Sequence, residues 1–206
     1  MRESPRLRRL RSDLKVLEAL QADSTILHFE AKGTPPETYL VRFRGNGLAP
    51  PDGRGDPRLQ TSHAVSIRLG ASYPCERPEL EWLTPIFHPN ISSAGLVCLG
   101  GIGKHWVPSL NLDELCEMLW DMVRYKNFDV GSPYNWDAAR WAKVQHASRF
   151  PLDPRPIRDK LAKVPPPLPP KRPPAPPRPA QQATVVQETR TEQPELQESG
   201  IWWLRE

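Results

Sequence analysis

The chain has 206 residues, with 28 Lys+Arg against 24 Asp+Glu, 38% apolar residues, 26 Pro and 3 Cys. Three cysteines without a Cys-x-x-Cys pair exclude a disulfide framework and a four-ligand zinc site, and no run approaches the ~20 consecutive apolar residues of a membrane span. Of the 26 prolines, 13 fall between Pro151 and Pro179, a stretch unfit for a helix interior or a central strand. The expectation is a globular domain over residues 1–150 and a Pro-rich, largely disordered tail over 151–206.

The N-terminal MRESPRLRRLRSDLK is charged rather than signal-like, so a soluble, cytoplasmic protein without a membrane partner is expected. Ser4 before Pro5 reads as an N-cap with proline at the first helical position, and Leu7, Leu10, Leu14 and Leu17 then recur at helical spacing, predicting a helix to about Ala22. Arg2, Arg6, Arg8, Arg9 and Arg11 give this helix a local basic patch. With a net charge of only +4, no nucleic-acid binding is expected.

From Thr25 the period changes to two. Leu27, Phe29 and Ala31, then Tyr39, Val41 and Phe43, alternate with polar or outward residues, predicting two strands joined by a turn containing Gly33 and the Pro35-Pro36 pair. A loop is expected over Gly45–Pro57, a third strand around Val65, Ile67 and Leu69, and a short fourth over Glu79–Leu83. Between Thr84 and Ser109 periodicity disappears, and long irregular segments inside compact domains are usually functional. Asn111 with Glu114 reads as a capping box ahead of Leu112, Leu115, Cys116, Leu119, Met122 and Val123 on one helical face. A shorter helix is expected from Trp136 to His146, with Ala138, Trp141, Ala142 and Val144 inward. The fold class is therefore α+β: an N-terminal helix, a four-stranded antiparallel meander, then helices.

Past Lys163, PPPLPPKRPPAPPRP predicts extended polyproline II, and Gln181–Ser199 reads as disordered. Ile201-Trp202-Trp203-Leu204 then form either a docking peptide for a partner or a segment that folds back.

The thiols differ. Cys116 lies on an apolar helix face, Cys75 in a turn-like Tyr73–Pro78 segment, and Cys98 in the irregular stretch with His88, Asn90, Gly95, Gly100-Gly101-Ile102-Gly103 and Trp106. The glycine cluster lacks the Lys-Ser/Thr of a phosphate loop, which excludes nucleotide binding. A free thiol in such a segment is a candidate nucleophile.

In YPCERPELEWLTPIFHPNI, 15 residues separate Tyr73 from His88; Cys98 falls 8 after Asn90, Trp106 falls 8 after Cys98 in Trp-x-Pro, and SPYNWDAARWA follows. These anchors resemble the ubiquitin-conjugating enzyme family over about the first 150 residues. The resemblance implies that Cys98 takes the C-terminal glycine of a ubiquitin-like modifier from an activating enzyme as a thioester and passes it to a lysine of a protein target. It implies that the Asn90 amide stabilises the oxyanion, that His88 holds the Asn90 loop rather than acting as a base, and that Ser132 and Asp129 orient the incoming amine. No cofactor is implied, since ATP is consumed upstream by the activating enzyme. That enzyme would meet the N-terminal helix, with Arg8 and Arg9 as candidate contacts.

Several positions depart from the family's pattern: Cys75 where an aromatic residue usually follows Tyr-Pro, Val107 after Trp106, the long Gly45–Pro57 loop, and Gly100-Gly101 beside Cys98. They suggest a divergent branch, similar to bacterial conjugating enzymes with their own activating enzyme and modifier, and weaken the case for ordinary RING or HECT ligases. The alternatives are a catalytically silent ubiquitin- or peptide-binding variant and a Pro-rich adaptor.

Overall fold

The structure, a computed structural model, describes residues 3–53, 55–99 and 106–161. The glycine cluster after Cys98, the polyproline segment and Ile201–Leu204 lie outside the described residues.

Helix α1 spans Pro5–Ala22, capped as its sequence predicts by Ser4, whose side chain accepts from the Leu7 N–H at 3.2 Å. Four strands follow: β1 (Leu27–Gly33), β2 (Pro36–Ala49), β3 (Arg58–Arg68) and β4 (Glu79–Trp82), hydrogen-bonded in the order β1-β2-β3-β4 and antiparallel throughout. Tyr39, Val41 and Phe43 of β2 and Val65 and Ile67 of β3 are fully buried. They meet helix α2 (Leu112–Val123), whose Leu112, Leu115, Cys116, Leu119 and Met122 are likewise without exposed surface. The Glu114 carboxylate accepts from the Asn111 N–H at 3.0 Å, closing the predicted cap. Helix α3 (Trp136–Lys143) and a 3-10 turn (Ala147–Arg149) complete the order. None of the described helices is long and apolar enough to cross a membrane.

Four boundaries differ from expectation. The predicted loop from Gly45 is strand as far as Ala49, because two glycines serve packing rather than turning: a Cβ on Gly45 would lie 2.4 Å from the Trp120 ring, and one on Gly47 2.7 Å from the His63 ring. Strand β3 begins at Arg58, hidden in the sequence because its first residues are polar and exposed. Helix α3 stops at Lys143, and Val144, expected inward, is 79% exposed. The division at residue 150 falls inside packed structure. Ile157 and Asp153 are buried, the Trp120 indole N–H donates to the Arg155 carbonyl at 2.9 Å, and Arg158 pairs with both Asp23 (3.0 Å) and Asp113 (2.8 Å). Residues 151–161 therefore belong to the globular unit. Proline forbids helix and central strand there, but not packing against a core.

Candidate functional site

The irregular segment 84–99 is organised by a turn at His88-Pro89-Asn90. The Asn90 N–H donates to His88 Nδ1 at 3.1 Å, which fixes that ring nitrogen as an unprotonated acceptor. Both residues are fully buried. The His88 ring meets Tyr125 edge-on at 5.0 Å, and burial pushes its pKa down to about 3. A neutral, enclosed imidazole with one nitrogen already engaged by the Asn90 N–H holds the turn.

A narrow hairpin follows. Ile91 bridges Val97, the Ser92 N–H donates to the Leu96 carbonyl at 2.9 Å, and Gly95 sits at φ +84, where a Cβ would lie 2.3 Å from the Trp82 carbonyl oxygen. Its return strand brings Cys98 back to the turn, where the Cys98 N–H donates to the Asn90 carbonyl at 2.9 Å. Cys98 is half-buried, Cys75 is exposed and Cys116 is enclosed. Burial pushes the Cys116 thiol up and out of reach of ordinary thiolate chemistry.

The other wall is the segment 129–135. The Asn90 Nδ2 donates to the Asp129 carbonyl at 2.9 Å while its Oδ1 accepts from the Asp129 N–H at 2.8 Å, and a longer contact of 3.5 Å reaches the Ser132 carbonyl. The Pro89 carbonyl accepts from Tyr134 and Asn135 N–H groups at 2.8 and 2.9 Å. Asp129 is half-buried and Ser132 exposed. One Asp129 carboxylate oxygen accepts from the Gly131 N–H at 2.6 Å. The structure thus brings Asn90, His88, Cys98 and the 129–132 backbone into one hydrogen-bonded assembly. An open groove of about 980 Å³ runs beside it along β4, lined among others by Arg68, Glu76, Glu81, Leu96 and Tyr134.

Residues 57–151 match the family described as ubiquitin-conjugating enzyme. Over that segment the chain is similar to ubiquitin-conjugating enzymes. Among similar proteins are "Ubiquitin-conjugating enzyme E2 16" of Schizosaccharomyces pombe, 35% identical over 77 residues, 37% of this chain and 47% of that protein, and "Ubiquitin-conjugating enzyme E2 T" of Bos taurus, 33% identical over 81 residues, 37% of this chain and 42% of the other. "Probable NEDD8-conjugating enzyme Ubc12-like" of Arabidopsis thaliana is 31% identical over 81 residues, 39% and 43% of the two chains. The chain thus spans about half the length of the relatives it matches, or slightly less. The solved structure "S. cerevisiae Ubc12" shares the fold, with a TM-score of 0.52 at 24% identity, covering 71% of this chain and 75% of that one.

The early arginines are largely committed within the domain: Arg6 pairs with Glu37 at 2.7 Å, Arg9 with Asp13 at 2.8 Å and Arg11 with Glu3 at 2.7 Å. Arg8 is exposed and makes no ion pair among the described residues. The departures at Cys75 and Val107 lie on one shoulder, because the Trp106 indole N–H donates to the Pro74 carbonyl at 2.9 Å; Cys75 is exposed and Val107 is 47% exposed.

Sequence reasoning passed over Asp13. Its carboxylate has no exposed surface and accepts from Arg9 Nε at 2.8 Å, the Tyr73 hydroxyl at 2.6 Å and the Leu112 N–H at 3.3 Å. The available signal was an acidic residue inside the Leu10–Leu14–Leu17 stripe, a position where an uncompensated charge would be costly.

Proposed function

We propose that this chain conjugates a ubiquitin-like modifier, with Cys98 as the thioester-forming residue. The observation that carries this reading is the half-buried Cys98 held by its own N–H to the Asn90 carbonyl, at the position where the family has its active cysteine. In the first step the Cys98 thiolate attacks the thioester carbonyl of the modifier's C-terminal glycine. A new C–S bond forms, the old one breaks, and the activating enzyme's thiolate leaves. In the second step a target lysine amine attacks. The C–N bond forms, Cys98 leaves as thiolate, and the amine proton passes to water or to the Asp129 carboxylate, which retains one oxygen beyond that engaged by Gly131.

Asn90 supports this reading in two ways. Its amide holds the 129–132 segment in place, and the second Nδ2 proton, only loosely engaged by Ser132, is the one it can lend to the oxyanion. The His88 imidazole, enclosed and already accepting the Asn90 N–H, suits a protein whose thioester must survive water. With Arg9 committed inside, exposed Arg8 is the arginine we assign to contact with the activating enzyme. The test is incubation with the cognate activating enzyme, modifier and ATP: a thiol-sensitive adduct is expected on the natural chain and none on Cys98→Ala.

A further inference from the structure

Arg9 was expected to face outward, yet its side chain is only 14% exposed and its partner Asp13 is wholly enclosed. The guanidinium does more than form that one ion pair. Besides Asp13, it donates through Nη1 to the Pro108 carbonyl and through Nη2 to the Leu110 carbonyl, and its carbon lies 5.3 Å from the centre of the Tyr73 ring. Tyr73 in turn packs on Trp106 at 5.8 Å between ring centres, and Trp106 is pinned by the Pro74 carbonyl. Asp13 closes the circuit by accepting from the first N–H of α2 at Leu112. Leu99, immediately after Cys98, is buried in the same core cluster as Tyr73, Leu110 and Leu112, with Trp106 packed against it.

We infer that Arg9 is a positioning residue for the Cys98 site: its planar fork fixes the chain at Pro108 and Leu110, in the core cluster that also holds Leu99, the residue next to Cys98. The inference rests on the reading of Cys98 as the reacting group. A fork of fixed geometry is needed because two carbonyls and a carboxylate are held at once, which an ammonium on a flexible stem cannot reproduce. Arg9→Lys therefore keeps the charge opposite Asp13 and releases the carbonyls.

The test measures the rate of Cys98 alkylation by iodoacetamide against pH, in a Cys75→Ser background so that the exposed thiol does not compete. Arg9→Lys is expected to change the rate by about threefold or more, or to move the midpoint of the profile, because thiol reactivity follows its local surroundings. Lys15→Ala, on the exposed side of the same helix, should leave the profile unchanged. In charged protein, Arg9→Lys should slow discharge to free lysine by about tenfold, as small displacements in a reacting site do, with the concentration dependence of charging altered less. Profiles that superimpose while only the melting temperature falls would overturn the inference, since that is the result of a purely structural role. If Arg9→Lys does not fold, Tyr73→Phe, which keeps the ring and loses one bond to Asp13, is measured and judged by the same criteria. If no thioester ever forms on Cys98, the conjugation reading has failed, whereas the alkylation comparison still decides the role of Arg9.

Discussion

Asn90 and Asp129 close a ring of two hydrogen bonds: the side-chain amide of one donates to the carbonyl of the other at 2.9 Å and accepts from its N–H at 2.8 Å. These residues are far apart in sequence, and no other described contact joins the His88–Asn90 turn to the 129–132 segment through a side chain so directly. The segment expected to receive the amine is thus hung on the residue expected to stabilise the oxyanion.

Asn90→Ala should lower both stability and transfer. Two buried hydrogen bonds lost, with a carbonyl and an N–H left unpaired, amount to about 2–3 kcal/mol, measurable as a shift of the denaturant midpoint. In the protein that remains folded, thioester formation on Cys98 should persist while discharge to free lysine falls by about 10²-fold, the effect of removing an oxyanion donor. Discharge at the natural rate would assign Asn90 to architecture alone.

Two buried imidazoles should make the domain acid-sensitive. Burial lowers His88 to about 3 and His63 to about 4 from an ordinary value of 6.5. The unfolded chain therefore binds more protons below pH 6.5, and stability is full above that value and is lost as pH falls toward 4. At pH 5 the loss is about 2 kcal/mol per histidine, taken as an upper bound. Urea unfolding at neutral pH and near pH 5 measures it, and His63→Phe should remove about half the slope, provided the ring is accommodated beside Gly47.

Thiol modification should separate the three cysteines. Exposed Cys75 and half-buried Cys98 are expected to react with iodoacetamide in the native protein, and enclosed Cys116 only after unfolding. Intact-mass analysis should show two additions under native conditions and three in denaturant. A third addition to the native protein would contradict the packing of α2.

Glycines that turn and glycines that make room should respond differently to alanine. Gly95 combines φ +84 with a Cβ position 2.3 Å from the Trp82 carbonyl oxygen, whereas Gly53 has φ +93 and open space. Gly53→Ala should cost about 1–2 kcal/mol from the left-handed backbone alone. Gly95→Ala should cost more and disturb the hairpin that returns Cys98. Equal unfolding free energies for the two variants would show that the close approach at Trp82 relaxes freely.

Much of this architecture is legible where local chemistry and tertiary packing agree. Helix α1 starts and stops where Ser4 and Ala22 predict, and the inward residues of α2 are those its 3.6-residue period selects. Legibility fails where one residue serves a distant partner. Gly45 reads as loop because its neighbour Trp120 is 75 residues away in the sequence, and Asp153 and Ile157 read as tail because proline composition says nothing about an anchor. At the candidate site the spacing of His88, Asn90, Cys98 and Trp106 carries the resemblance. That Asn90 binds the Asp129 backbone, and that Arg9 turns inward, are tertiary facts without a local pattern.

The account turns most directly on which atom receives the modifier. Cys98→Lys, incubated with activating enzyme, modifier and ATP, should form an amide in place of the thioester, and peptide mass mapping should place the modifier's terminal glycine on residue 98 in an adduct that survives reductant. No stable adduct on that variant, together with natural-chain charging mapped to Cys75, would contradict the assignment of Cys98.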